Sequence, residues 1–390
     1  MRNVVAISQG VTKRKVMRVT DLSSLSAEWR PGLSLLIPVN SDAEAERVLR
    51  LCSAGLSDIA ILAERESIGD DVPGIIADKT NVIAGDVVAV TPGRNQLQIL
   101  YRESDSHHTV FLTNRCNSHC LMCSQPPTRY DDSWLVEEAA LVAAHIRRSP
   151  EVLGFTGGEP LLLGVRLREV IEAFAAFHPV TSFDVLTNGR LFSDKTLAKA
   201  LLTDTKSVSW MVPLYAHADF LHDYVVQATG AFDETIDGLL TLHSFGQPIQ
   251  LRIVLIEPVL RVLPDLCSFV SRNLPFVREV ALMGCEPIGF ALANRAQCEV
   301  DITEWAGVLS SAVRHLTNAG IPPVLMNLPL CALPEELRRF AHRSISDWKQ
   351  VYAAECATCD AREECCGLFS WHERGWRPTA LHPIRNLHTS

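Results

Sequence analysis

Thr113-Asn114-Arg115-Cys116-Asn117-Ser118-His119-Cys120-Leu121-Met122-Cys123-Ser124-Gln125-Pro126-Pro127 sets three cysteines at C-x3-C-x2-C spacing. The stretch follows the short apolar run Val110-Phe111-Leu112, a strand candidate, and holds no fourth cysteine. A cubane 4Fe-4S cluster is normally held by four thiolates, so a local trio leaves one iron open to a small molecule. A structural zinc site would call instead for two C-x2-C knuckles or a His partner at fixed spacing.

Downstream, Gly154-Phe155-Thr156-Gly157-Gly158-Glu159-Pro160 runs from a strand end into a glycine pair, and Val185-Leu186-Thr187-Asn188-Gly189 closes a second strand in the same way. The glycines let the backbone approach a ligand closely, and the Glu159 carboxylate is expected to face a cation. With these three motifs in this order, the chain resembles the radical S-adenosylmethionine (SAM) superfamily. The resemblance implies that Cys116, Cys120 and Cys123 hold a 4Fe-4S cluster with SAM on its open iron. It also implies that Gly157, Gly158, Glu159 and Pro160 position the SAM amino end. The residue before the third cysteine usually stacks on adenine; here it is Met122, so a sulfur–π contact takes the place of ring stacking.

At 390 residues and 47% hydrophobic content the chain is long enough to bury a large core in two or three domains. No run of apolar residues is long enough to span a membrane, and Met1-Arg2-Asn3-Val4-Val5 lacks the apolar region of a signal peptide, so a cytoplasmic location is expected. In that setting the 12 cysteines read as metal ligands and core thiols rather than disulfides. A formal net charge of −9 argues against nucleic acid as a partner held by a general basic field.

Residues 1–107 carry no cysteine pattern and are expected to form an N-terminal α+β domain, either docking a peptide or partner or capping the core domain. Asp42 to Cys52 reads as a capped amphipathic helix and Ile59 to Leu62 as a strand. Runs at 85–90 and 96–101 flank Thr91-Pro92-Gly93-Arg94-Asn95, a hairpin signal. From 108 to 327, strand candidates at 110–113, 152–156, 182–187, 207–214, 249–256 and 279–283 alternate with helix candidates. One of these, 165–177, sets Leu167, Val170, Ile171, Phe174 and Phe177 on one face. Six strand–helix repeats predict parallel strands with right-handed crossovers. The expected fold is α/β, a partial (β/α)6 barrel, which the superfamily resemblance also implies. Ligands then sit at the carboxyl ends of the strands, where all three motifs lie.

Residues 328–390 are rich in cysteine and tryptophan. Cys356, Cys359 and Cys365 give C-x2-C-x5-C, and Cys331 supplies a fourth thiolate. This predicts a second metal site, an auxiliary 4Fe-4S cluster or a zinc knuckle, with Cys365 and Cys366 competing for one ligand position. Cys52 and Cys267 lie on apolar helix faces and read as core residues. At strand ends, Asn188, Arg252 and Glu286 are candidate contacts to SAM or substrate, and Tyr215 faces the same end as a packing residue or hydrogen-atom relay. No residue is singled out as catalytic.

Leu121-Met122-Cys123-Ser124-Gln125-Pro126-Pro127, the preceding Ser106-His107-His108-Thr109-Val110-Phe111-Leu112-Thr113 and Ser344-Ile345-Ser346-Asp347-Trp348 are similar to the C-type radical SAM maturases of the His-Xaa-Ser systems. That resemblance implies a ribosomally made precursor peptide with His-Xaa-Ser repeats as substrate and a sister radical SAM maturase as partner. Radical SAM chemistry also implies an electron donor such as flavodoxin or ferredoxin. Two other readings stand beside it: a radical SAM enzyme acting on a small metabolite, nucleoside or tRNA base, and a non-catalytic iron-sulfur or zinc protein.

Overall fold

Short runs of β-branched and aliphatic residues build the first part of the chain into a closed barrel. Its strands are β1 (Arg2–Ser8), β2 (Lys15–Val19), β3 (Leu35–Pro38), β4 (Ile59–Ala63), β5 (Ile75–Ala77), β6 (Val87–Val90) and β7 (Gln96–Tyr101). They run in the order β1-β5-β4-β3-β2-β6-β7, and β7 pairs back on β1 with Val4 opposite Leu97. One core cluster gathers Val4, Met17, Val19, Leu36, Leu62, Val88, Leu97 and Ile99. On β3 and β4 the alternate residues are apolar too, because Leu35, Ile37 and Ile61 pack with Ala45 and Val48 of the helix Asp42–Ser53. The expected helix and hairpin are both present, β6 and β7 pairing antiparallel. Barrel closure is a feature that local patterning did not reveal, since it depends on pairing between the two ends of the unit.

The described residues are 2–8, 11–53, 58–64, 74–77, 81–203, 208–373 and 375–385 of the computed structural model. They divide into two compact units. One holds Met1–Val110, Ser133–Leu153 and Val170–Ser182; the other holds Phe111–Asp132, Gly154–Glu169 and Phe183–Ser390. The divisions expected at 107 and 327 differ from this, because the first unit also takes the helix Trp134–His145 and the cysteine-rich end shares the second unit with the strands before it.

A curled sheet of eight strands follows: β8 (Thr109–Phe111), β9 (Val152–Thr156), β10 (Ser182–Leu186), β11 (Ser209–Pro213), β12 (Ile249–Leu255), β13 (Glu279–Gly284), β14 (Pro323–Met326) and β15 (Ala341–His342). The strands lie side by side in chain order, and every pair from β10 to β15 is parallel. This is the half-barrel α/β fold the repeats predict, with a correction: two strands extend the sheet beyond the six expected. β14 and β15 are short, and β14 opens on Pro323 directly after Pro322, so neither carries a strand-length apolar run. Buried Leu251, Ile253, Val280, Leu282 and Leu325 supply sheet core, while the helices Leu263–Asn273 and Ala306–Asn318 bury Leu266, Cys267, Leu309 and Leu316. Among the described residues no helix is long and apolar enough to cross a membrane.

Candidate functional site

The cysteine loop leaves β8 and is tied down along its whole length. Asp132 is buried and accepts hydrogen bonds from Thr113 Oγ1 at 3.1 Å and from the Asn114 backbone N–H. His119 and Leu121 N–H groups donate to the Val226 and Val225 carbonyls, at the end of the helix Asp219–Val226, at 3.0 and 2.9 Å. Phe290 N–H donates to the Cys123 carbonyl at 2.9 Å.

Gly157 and Gly158 pack against this loop. Gly158 N–H donates to the Thr113 carbonyl at 2.6 Å and Glu159 N–H to the Arg115 carbonyl at 2.7 Å. A Cβ on Gly157 would stand 2.5 Å from the Thr113 oxygen, and one on Gly158 would collide with the Arg115 carbonyl. Only glycine permits two chain segments to lie this close.

Glu159 follows directly. It is fully buried and forms no ion pair among the described residues. Its Oε1 accepts from Thr187 Oγ1 at 2.5 Å and from Leu161 N–H at 2.8 Å, and its Oε2 accepts from Asn188 N–H at 2.6 Å. Burial pushes its carboxyl above the usual range, and these three hydrogen bonds oppose the shift. The side chain is a clamp joining the turns after β9 and β10. Pro160 opens the short turn Pro160–Leu163 and is buried.

Asn188 continues the chain of contacts: its Nδ2 donates to Asn117 Oδ1 at 2.6 Å, and its Oδ1 accepts from Arg190 N–H at 3.1 Å. The buried Arg190 donates to the Asn117 carbonyl at 2.6 Å and to Ser118 Oγ at 3.0 Å, while its Nε pairs with Glu234 at 2.6 Å. Sequence reading overlooked Arg190, Asn117 and Asp132. The available signal was position alone, Arg190 directly after Thr187-Asn188-Gly189 and Asp132 just past the cysteine loop.

Burial pushes Cys116 up to about 11, with the charges of Glu159 and Cys123 adding to it. Burial also raises Cys120, where Cys123 and Cys116 contribute, and Cys123. Three thiolates this close repel one another in a poorly hydrated place, and they fit a group that carries compensating positive metal. Among the described residues no three His, Cys, Asp or Glu side chains gather closely enough for a single ion. In a 4Fe-4S cluster each thiolate takes a different iron.

Met122 is buried. Tyr215 is buried, its hydroxyl pushed well up by burial and by the nearby Cys120, Cys123 and Cys285, and its ring stacks on His222 at 5.8 Å. Arg252 lies on β12; its Nε donates to Gln250 Oε1 at 2.9 Å, and its terminal nitrogens have no hydrogen-bond partner among the described residues. Glu286 takes an ion pair from Lys349 at 2.9 Å, whose ammonium lies over Trp348 at 5.2 Å and Trp371 at 5.4 Å.

The second thiol group comes together around one cavity, lined by Cys331, Cys356, Cys359 and Cys365 with Tyr352 and His382. Backbone N–H groups point at the sulfurs: Leu330 and Gly367 to Cys365, both at 3.4 Å, and Ile384 to Cys359 at 3.3 Å. Cys365 is drawn down to about 6, first by the hydrogen bond from the Cys366 thiol and then by these N–H groups. Cys366 turns away to pack with Ile345 and Phe369, so Cys365 is the cysteine that faces the cavity.

The Radical SAM superfamily model matches residues 110–260. No curated protein matches. Among solved structures, SuiB of Streptococcus suis bound to S-adenosylmethionine is similar at 12% identity and TM-score 0.45, over 56% of this chain and 49% of SuiB. The same protein bound to precursor peptide SuiA gives 13% identity, TM-score 0.44 and coverage of 56% and 48%. A radical SAM methyltransferase from Sphaerobacter thermophilus gives 16% identity, TM-score 0.43 and coverage of 62% and 73%. This chain spans about half the length of SuiB. The family match covers the cysteine loop, the Gly157-Gly158-Glu159 turn and the Asn188 turn together, so residues 110–260 are a radical SAM superfamily domain.

Proposed function

We propose that this chain is a radical SAM enzyme that modifies a ribosomally made peptide of the His-Xaa-Ser repeat type. The observation that carries the chemistry is the C-x3-C-x2-C loop pinned by Glu159, Asn188 and Arg190 at the ends of β9 and β10. When bound, a 4Fe-4S cluster with SAM on its open iron supplies one-electron cleavage of the sulfonium and a 5′-deoxyadenosyl radical. Cys116, Cys120 and Cys123 hold that cluster. Glu159 acts by holding the turns after β9 and β10 together at the place where Gly157, Gly158 and Pro160 position the SAM amino end. Arg252 offers its free terminal nitrogens to a carboxylate, and a planar guanidinium suits a two-point contact. Asn188 and Glu286 act indirectly, through Asn117 and Lys349. The buried Tyr215 and Met122 keep water from the reacting end.

The peptide substrate is supported by the sequence strings around Cys123 and Ser344, and by the second thiol group. Cys331, Cys356, Cys359 and Cys365 hold an auxiliary 4Fe-4S cluster, which four thiolates close on every iron, so it carries electrons rather than substrate. N–H groups directed at Cys365 favour the thiolate form such a site needs. The N-terminal barrel is the docking module for the peptide or for a sister maturase, and a flavodoxin or ferredoxin is the electron donor.

The test is anaerobic reconstitution, iron and sulfide counting, then incubation with SAM, a reductant and a His-Xaa-Ser repeat peptide. The proposal expects about eight irons per chain, 5′-deoxyadenosine and a changed peptide mass. About four irons with zinc would remove the auxiliary cluster. 5′-Deoxyadenosine with an unchanged peptide would move the substrate to the metabolite or nucleoside class.

A further inference from the structure

The carboxyl ends of three strands meet at a cavity that neither thiol group uses. Leu255 closes β12, Gly284 closes β13 and Asn327 follows β14, and all three line it. Its other walls are largely apolar, with Leu328, Ile345, Phe369 and Trp376 all buried. One wall residue supplies a polar handle. His372 is 7% exposed, and its Nδ1 donates to the Phe369 carbonyl at 2.7 Å. That bond leaves Nε2 of the neutral ring as an acceptor, and Nε2 has no hydrogen-bond partner among the described residues. An acceptor shielded this far from water costs free energy until a donor meets it.

The cavity lies between the two thiol groups. Gly367 and Leu368 line it and also line the cavity of Cys331, Cys356, Cys359 and Cys365. On the other side Pro287 is a wall residue, and Phe290, a little further along, donates its N–H to the Cys123 carbonyl at 2.9 Å. A group held here is therefore next to both.

We propose that this cavity is a side-chain subsite for the substrate peptide, in which a histidine ring of the substrate donates its N–H to His372 Nε2; the inference rests on the His-Xaa-Ser reading above. The match is chemical. Apolar walls suit a flat ring, and a single buried acceptor suits a single donor on its edge. Of the two fixed residues of the repeat, serine brings a donor without an apolar body, whereas histidine brings both. His372 is then a specificity residue, because a ring without a donor leaves its Nε2 unpaired. Holding that ring fixes which residue of the repeat is offered to the radical.

The experiment uses the full-length, cluster-loaded protein under anaerobic conditions and a fluorescein-labelled His-Xaa-Ser repeat peptide, with binding read by anisotropy. A second peptide carries phenylalanine in place of histidine, which keeps a ring and removes the N–H. Wild type is expected to bind the second peptide more weakly by about tenfold or more. His372→Asn keeps a donor for the Phe369 carbonyl and lacks the acceptor, and it is expected to bind both peptides alike, at the weaker level. His372→Gln, which can set an oxygen where Nε2 stood, is expected to restore the preference. Equal binding of both peptides by wild type overturns the proposal without any variant, and it is also the result if the cavity takes only water. A preference that survives in His372→Asn overturns the role of His372. No binding of the histidine peptide by wild type overturns the His-Xaa-Ser reading itself, and this inference with it.

Discussion

A methyl group on Gly158 would meet the Arg115 carbonyl, and neither backbone segment has anywhere to retreat, since Gly158 N–H and Glu159 N–H are both bonded across the same gap. Gly158→Ala is predicted to cost about 1–3 kcal/mol, as overpacking does, and to lower iron bound per chain, because the strain falls on the cysteine loop itself. Thermal melting and iron counting check this; unchanged iron would mean the loop adjusts freely. His222 offers a second prediction. Burial lowers its pKa from an ordinary 6.5 to about 4, and its Nδ1 accepts the Tyr215 N–H at 3.2 Å, which requires the neutral ring. The unfolded chain therefore binds the proton first as pH falls from 6.5 to about 4, and folded stability declines through that window by up to about 1.4 kcal/mol per pH unit. His222→Gln, which keeps an acceptor and cannot titrate, is expected to flatten the fall in urea midpoint between pH 7 and 5; an unaltered slope would assign the effect to other groups. Residue identity made the cysteines legible in the sequence. It did not reveal that Glu159 and Asn188 spend their polar atoms on the protein, because hydrogen-bond partners distant in sequence leave no local pattern.

Among elements, the long apolar strands were readable and the short ones were not. β12 and β13 are mostly buried and pair over six residues, from Gln250 opposite Glu279 to Leu255 opposite Gly284. β14 and β15 hold four and two residues, and what makes them strands is the neighbour already in place. The cysteine-rich segment is likewise organised by contacts rather than propensity: its ordered pieces are short turns and the two-strand pair Gln350–Val351 with Leu368–Phe369. Such a segment depends on what its thiols hold. Changing Cys356 and Cys359 together to Ala is predicted to leave SAM cleavage to 5′-deoxyadenosine within about threefold of wild type while peptide product falls at least a hundredfold, a difference of order 2 kcal/mol or more in the product-forming step. Chromatographic quantitation of both products decides it. Parallel loss of both would mean that the segment supports the fold of the second unit instead.

For the molecule as a whole, composition indicated a large chain with several cores, and the two compact units, each described by its own buried clusters, agree with that. What length and charge could not convey was the way the first unit shuts on itself. β1 holds β7 on one side through Arg2–Val5 and β5 on the other through Ala6–Ser8. The first strand of the chain is thus the clasp of the barrel. Removing residues 2–8 would bare two rows of backbone donors and acceptors at once, on β5 and on β7, each a template for a neighbouring molecule. We predict that a chain shortened to begin after Ser8 self-associates, with light scattering rising at concentrations where the full chain stays monodisperse, and that Pro in place of Val4 does the same in milder form by cancelling one rung of the seam. For anyone preparing this protein, trimming the start is therefore the riskiest economy available: seven residues guard against aggregation of everything that follows.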